Sequence, residues 1–257
     1  MTHELFRADS YQTECSATVT AIGAQGIVLD RTVFYPTGGG QAGDAGVLLV
    51  TAGAAAGREI AIADTRKGKD ADGRYTTDIC HLPATPLDDP GAPRLAVGDT
   101  VSARIDWQRR HRLMRFHTTT HLLCHLVPQL VNGCSITADY ARLDFNMTDP
   151  LDKEALTQGL TALVAAGHPV TLGAISDAEL DANPALVKSM SVQPPRGSGS
   201  IRTVRIGQTD QIDLQPCGGT HVANTAEIGA VVVTRIEKKS ASTRRVVLGF
   251  ADDSRAG

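Results

Sequence analysis

Over the first hundred residues, apolar and polar side chains alternate in short runs. "CSATVTAI" (15–22), "GIVLD" (26–30), "GVLLVTA" (46–52) and "REIAIADT" (58–65) are rich in β-branched residues and are separated by glycine-rich or polar punctuation. A period of two puts every second side chain on one face of a pleated strand. Strands this closely spaced predict a small β-barrel or, in competition with it, a sandwich. The proline-rich stretch "LPATPLDDPGAPRLAVGD" (82–99) predicts an extended connector. "VSARIDWQ" (101–108) predicts a last strand with Val101, Ala103 and Ile105 on one face.

At Arg109 the period changes. "RRHRLMRFHTTTHLLCHLV" meets no Gly or Pro until Pro128 and predicts a helix. Its apolar residues Leu113, Met114, Phe116, Leu123, Leu126 and Val127 are too dense for a fully exposed surface helix. Residues 152–167 predict a second helix, with Ala155, Leu156, Leu160, Leu163 and Val164 at helical spacing and a glycine stop. A Pro/Gly/Ser loop over 194–200, a strand and a terminal β-hairpin follow. The expected class is α+β: a small N-terminal β-barrel domain over 1–106 and an α+β domain over 107–257.

Composition adds little to this and charge somewhat more. The chain is 42% hydrophobic and 21% charged with a net charge of −3, ordinary for a globular protein and no global signal for nucleic acid. The charge is uneven, however. Residues 1–100 hold 8 basic and 13 acidic side chains, whereas 101–257 hold 17 and 15, so a polyanion would be met by the second part. The N-terminus has no apolar signal segment, and no stretch reaches the length of a membrane span. Five widely spaced cysteines predict free thiols, no disulfide partner and a reducing cytoplasm.

The chemistry gathers in two motifs. His117 and His121 in "HTTTH" lie four apart, about 6 Å along a helix axis, and can point at one ion. His125 extends the stripe, so the pair is either 117/121 or 121/125, with Cys124 also within a turn of His121. Cys217 and His221 in "CGGTH" share that spacing in a glycine turn. Two histidines with a cysteine and a histidine make the donor set of a tetrahedral zinc site. A peptidase of the H-E-x-x-H type is excluded, because Thr118, Thr119 and Thr120 supply no general-base carboxylate. The glycines at 38–40 are not a phosphate-binding P-loop, because no Lys-Ser/Thr follows at the needed offset.

"RFHTTTHLL", "ARLDF", "DLQPCGGTHV" and "GAVVVTRIEKK", with "VFYPTGGGQAGDAG" ahead of them, together resemble the editing domain of alanyl-tRNA synthetase and its free-standing relatives, the AlaX family. The resemblance covers residues 18–50 and 101–249. It implies an editing domain of the threonyl/alanyl-tRNA synthetase second-additional-domain type. It also implies one Zn²⁺ on His117, His121, Cys217 and His221, with His125 left outside. The implied activity is hydrolysis, in trans, of serine or glycine from mischarged tRNA(Ala); a non-catalytic RNA-binding module with a structural zinc is the alternative. The chain has no room for an activation domain or a long oligomerising tail, which makes a trans-editing factor the expectation.

Candidate catalytic contacts are Thr118, Thr120, Asn132 and Thr220. Asn132 stands in "VNGCS", where the synthetase domains usually carry a glutamine. Candidate substrate contacts are Gly38, Gly39, Gly40, Gln41, Arg109, Arg110, Lys238 and Arg244.

Overall fold

In the computed structural model, residues 1–194 and 199–251 are described. Residues 195–198 of the predicted Pro/Gly/Ser loop lie outside the described residues. The chain is mixed α+β and divides into two compact units. One comprises Met1–Gly38 and Ala42–His111; the other comprises Gly39–Gln41 and the chain from Arg112 onward. Among the described residues, no helix is long and apolar enough to cross a membrane.

The first unit holds strands β1 (His3–Glu4), β2 (Glu14–Gly23), β3 (Gly26–Leu29), β4 (Arg31–Thr32), β5 (Gly46–Ala52), β6 (Glu59–Lys69), β7 (Tyr75–Pro83) and β8 (Thr100–Ile105), followed by the start of helix α1 (Trp107–Leu126). Six of the strands close into a barrel in the order β2-β3-β7-β6-β5-β8. The alternating residues supply its core: Cys15, Ala17 and Val19 from β2, Leu48 and Val50 from β5, Ile60 and Ile62 from β6, and Val101, Ala103 and Ile105 from β8. Closure leaves no strand of that ring with an unpaired edge.

Two readings are corrected here. β7 extends to Pro83, into the predicted connector, and its buried residues are Ile79, Cys80 and His81 rather than an aliphatic run. Its apolar alternation was too weak to announce a strand. Trp107 and Gln108 are helical, not the end of a strand. Asp106 is the reason: its Oδ1 accepts the Arg109 N–H (3.0 Å) and its carbonyl accepts the Arg110 N–H (3.0 Å), which starts the helix two residues earlier.

A buried ion pair ties this unit together. Arg110 is 0% exposed, and its Nε donates to both Asp44 oxygens at 3.0 Å. Its Nη1 reaches the Ser10 carbonyl (2.9 Å) and its Nη2 the Val33 carbonyl (2.6 Å) and Asp44. Asp44 also accepts the Tyr35 N–H at 2.6 Å. The sequence reading of Arg110 as a substrate contact is therefore corrected: its guanidinium is buried and bonded on all sides, with no route to a phosphate.

His81 gives the barrel an acid-sensitive point. It is fully buried; its Nδ1–H donates to the Ile27 carbonyl (2.9 Å) and its Nε2 accepts from the Thr32 hydroxyl (2.8 Å). Burial pushes its pKa down to about 4 against the backbone hydrogen bond. The unfolded chain takes up this proton near pH 6.5, whereas the folded barrel refuses it until about pH 4. Stability therefore falls as pH drops through that window, by about 3 kcal/mol at most from this group. Urea midpoints measured from pH 7 to 4 should fall less steeply for His81→Gln than for the parent; equal slopes would remove His81 as the cause.

The second unit carries the rest of α1 and a four-stranded antiparallel sheet among its described residues. Its elements are β9 (Val131–Ile136), β10 (Ala141–Asn146), α2 (Lys153–Ala165), β11 (Val170–Ile175), α3 (Asp177–Ala182), β12 (Ile201–Ile206), β13 (Asp213–Pro216), β14 (Val231–Ser240) and β15 (Thr243–Phe250). The order is β14-β15-β10-β9 in the larger sheet and β11-β12-β13 in the smaller. α1 buries Leu113, Met114, Phe116, Leu122 and Leu123, and Phe116 stacks on Phe250 of β15 with ring centroids 4.1 Å apart. Helix α2 starts where Asp152 caps the Glu154 and Ala155 N–H groups and ends before Gly167, at φ 64°. Its Leu156, Leu160 and Val164 are buried. β11 escaped the sequence reading because it is largely exposed on both faces and shows no alternation of burial.

Candidate metal centre

Helical geometry places His117 and His121 on one face of α1, and β13 leads directly into the Cys217–His221 turn. The metal-binding atoms of His117, His121, Cys217 and His221 all lie within 4.8 Å of one another. Cys217 Sγ is 3.5 Å from His117 Nε2 and 3.3 Å from His221 Nε2. Zinc holds nitrogen at about 2.0–2.1 Å and sulfur at about 2.3 Å, so tetrahedral ligands stand about 3.3–3.6 Å apart. These two separations already match that spacing, and the donor set fits zinc. His125 is exposed, which decides the pair as 117/121.

The turn comes this close because position 219 lacks a side chain. A Cβ on Gly219 would stand 2.1 Å from His117 Cε1 and 2.4 Å from its Nδ1. Any other residue would push the turn off the helix.

Each imidazole is held through Nδ1, which leaves Nε2 for the shared point. His117 Nδ1–H donates to Gln41 Oε1 at 2.7 Å. His121 Nδ1–H donates to Asp213 Oδ2 at 2.8 Å. Asp213 in turn accepts Lys188 Nζ at 2.6 Å and Gln215 Nε2 at 2.9 and 3.1 Å. His221 Nδ1 lies 3.2 Å from Thr118 Oγ1, which also accepts the Val222 N–H. Partners of this kind set the tautomer and ring orientation of metal ligands.

Charge follows the geometry. Burial pushes the Cys217 thiol up, but the imidazoles of His117 and His221 outweigh it and hold the thiol well below its usual range. Burial also pulls His121 down; its bond to the Asp213 carboxylate and the sulfur of Cys217 reverse this and raise it to about 9. His221 falls to about 3, through burial first and then through its electrostatic coupling to His117. For Cys217 that direction is the one a metal needs, because the thiolate is the form that ligates. The three histidines are at most 5% exposed, whereas Cys217 is half-buried and Gly218 exposed, so the centre meets solvent along this turn.

The other sequence-derived candidates separate. Thr118 touches the centre through His221. Thr120 does not: its hydroxyl donates to the His117 carbonyl (2.7 Å) in its own helix, as Thr119 does to Arg115 (2.8 Å). Thr220 is fully buried and accepts Gln41 Nε2 at 2.8 Å. Asn132, half-buried on β9, donates to Thr243 Oγ1 at 3.2 Å. Gly39 and Gly40 have φ of 59° and 88°, and Gly38 offers its carbonyl to the Tyr35 hydroxyl (2.8 Å). Arg109 is half-buried and donates to the Gly43 carbonyl at 3.2 and 3.3 Å; Lys238 is exposed on β14. Arg244 is a correction: it is 8% exposed and its guanidinium serves the carbonyls of Thr148, Ser240, Ala241 and Thr243, so it braces the hairpin and is not free for substrate. Asp213 and Lys188 were missed. Asp213 stands four residues before Cys217, but nothing in its neighbours' types marks it as the partner of a histidine 92 residues away.

Comparison with known proteins bears on the same residues. Residues 201–247 match the family profile described as the threonyl and alanyl tRNA synthetase second additional domain, and residues 5–109 match that of the class II (A) tRNA synthetases. The alanyl-tRNA editing protein AlaX-M of Methanosarcina mazei is 31% identical, covering 99% of this chain and 98% of its own length. AlaX-M of Saccharolobus solfataricus is 32% identical, over 96% of this chain and 98% of its own. The alanine–tRNA ligase of Metallosphaera sedula is 31% identical over 92% of this chain, which corresponds to 25% of the ligase.

Proposed function

The chain belongs to the alanyl-tRNA editing proteins of the AlaX-M type, and from that premise we propose that it deacylates tRNA(Ala) mischarged with serine, and with glycine, at one zinc ion held by His117, His121, Cys217 and His221. The observation that carries this reading is the convergence of two imidazoles from α1 with a thiol and an imidazole from the glycine turn, in a chain related to editing proteins along nearly its whole length. The site of action is the cytoplasm, where aminoacyl-tRNA is used.

An aminoacyl ester is already activated, so the site must position a water and the ester and stabilise the charge that develops on the carbonyl oxygen. Bound zinc would supply a Lewis acid at the Nε2 atoms and the sulfur. Lys188 and Asp213 hold His121, and Thr118 holds His221, so the ligands do not have to reorganise. Discrimination against alanine rests on a hydrogen bond to the serine hydroxyl that alanine leaves unmade; the buried hydroxyls of Thr118, beside His221, and of Thr220, in the glycine turn, are the candidates for it. Arg109 and Lys238 are proposed for the acceptor stem.

The decisive assay is deacylation of Ser-tRNA(Ala) beside Ala-tRNA(Ala), with zinc-loaded protein at low salt. Release of serine with alanine spared is expected. If neither Ser-tRNA(Ala) nor Gly-tRNA(Ala) is hydrolysed, the editing assignment fails for this chain.

A further inference from the structure

Gln41 is 0% exposed and lies inside the second unit, far in sequence from everything its side chain touches. Its amide has one possible orientation. The same atom that faces His117 Nδ1 at 2.7 Å also receives the Thr220 backbone N–H at 3.2 Å. A backbone N–H can only donate, so that atom is the oxygen. It follows that His117 carries its proton on Nδ1 and presents the Nε2 lone pair to Cys217 Sγ, 3.5 Å away. The other end of the amide, Nε2, donates to Thr220 Oγ1 at 2.8 Å. One neutral side chain thus spans from the histidine helix to the cysteine–histidine turn and uses both of its functional ends.

The backbone around Gln41 is built for this placement. Gln41 pairs in parallel with Ile136 of β9, and the Ile136 N–H donates to the Gly40 carbonyl at 2.7 Å. Gly40 has φ 88°, and a Cβ there would stand 2.9 Å from Cys134 Sγ and 3.1 Å from the Cys134 carbonyl oxygen. Only glycine permits both the conformation and the approach. On the far side, a Cβ on Gly219 would meet Gln41 Oε1 at 3.0 Å. Gly40 thus lets the backbone at Gln41 approach β9, and Gly219 leaves room for the Gln41 amide itself.

We propose that Gln41 is a positioning residue of the metal centre, which fixes the tautomer of His117 and locks the Cys217–His221 turn onto α1. This rests on the zinc reading above and replaces the sequence-based assignment of Gln41 to the substrate. The choice of an amide is specific. His121 is oriented by a carboxylate and His117 by a neutral group. Glutamate at 41 would place an uncompensated negative charge in a fully buried position and could not donate to Thr220. Partners of metal-bound histidines typically shift metal affinity about 10–100-fold when removed.

The test is zinc competition against a chromogenic chelator with the full chain, for the parent, Gln41→Ala, Gln41→Glu and the exposed-site control Gln208→Ala. The absorption of the cobalt(II)-substituted proteins is the second readout. We expect Gln41→Ala to lose zinc affinity about 10–100-fold and to shift its cobalt bands, with the control unchanged. Its deacylation at limiting zinc should recover when zinc is added in excess, which a general loss of structure would not allow. Gln41→Asn keeps both amide ends on a shorter stem and serves if the alanine variant does not fold; it too should bind zinc more weakly. Parent protein that binds zinc, with position-41 variants that match it in affinity and spectrum, would overturn the role of Gln41 alone. Folded parent protein that takes up no zinc would overturn the zinc reading and this inference with it.

Discussion

Cys217→Ala is expected to lower kcat/KM for Ser-tRNA(Ala) by about 10²–10³-fold or more and to leave the protein with less than one equivalent of zinc, while most of its thermal stability remains. Of the four candidate ligands Cys217 is the only thiol, and its neighbouring imidazoles hold it well below its usual range despite burial. Without it, three neutral imidazoles face a dication and the cluster loses its half-buried corner, where solvent reaches the centre. The second unit does not depend on this corner for its core. Phe116 against Phe250, and Leu156, Leu160 and Val164 of α2, are packed by elements that the substitution leaves alone. A zinc with a purely structural role predicts the reverse, since structural zinc sites contribute folding energy outright. Kinetics, metal content and a thermal melt on one preparation separate the two. A variant that melts with the loss of its metal would make the zinc a brace and leave RNA binding without catalysis as the better description.

The second large effect belongs to the first unit. Asp44→Ala is expected to destabilise it by about 3–5 kcal/mol, because Arg110 would remain charged, buried and without its carboxylate. The guanidinium would keep the carbonyls of Ser10 and Val33, but the Tyr35 N–H would also lose its acceptor. Replacing both partners with apolar residues of similar size, as in Asp44→Leu with Arg110→Met, should recover much of the loss. Chemical denaturation of the parent, Asp44→Leu, Arg110→Met and the double variant completes the cycle, with Asp44→Ala beside it. If the double variant were as unstable as Asp44→Ala, the penalty would lie in the lost hydrogen bonds and shape rather than in the stranded charge.

Much of the architecture was legible along the chain because its determinants are local. Period-two runs marked β2, β3, β5, β6 and β8, and the absence of Gly and Pro marked α1. Strands that broke the pattern were not legible: β7 buries a histidine and a cysteine, and β11 buries almost nothing. The start of α1 was misplaced by two residues, since the side chain of Asp106 outweighed the β-propensity of the residues around it.

The candidate metal ligands show where the division lies. Sequence by itself determined that two histidines share a helix face and that a cysteine and a histidine share a glycine turn, because spacing within one element is set by backbone geometry. It left His117/His121 and His121/His125 as alternatives, because a stripe of three histidines looks the same in either register. Only the tertiary structure chose, by burying His117 and leaving His125 in solvent. It alone also brought Gln41 to His117 across 76 positions, Asp213 to His121 across 92, and turned Arg110 from a surface charge into a buried clamp. The physical reason is range. Helix and turn geometry act within a few residues and are written locally, whereas the partner of a buried polar group is whichever residue packing delivers to it.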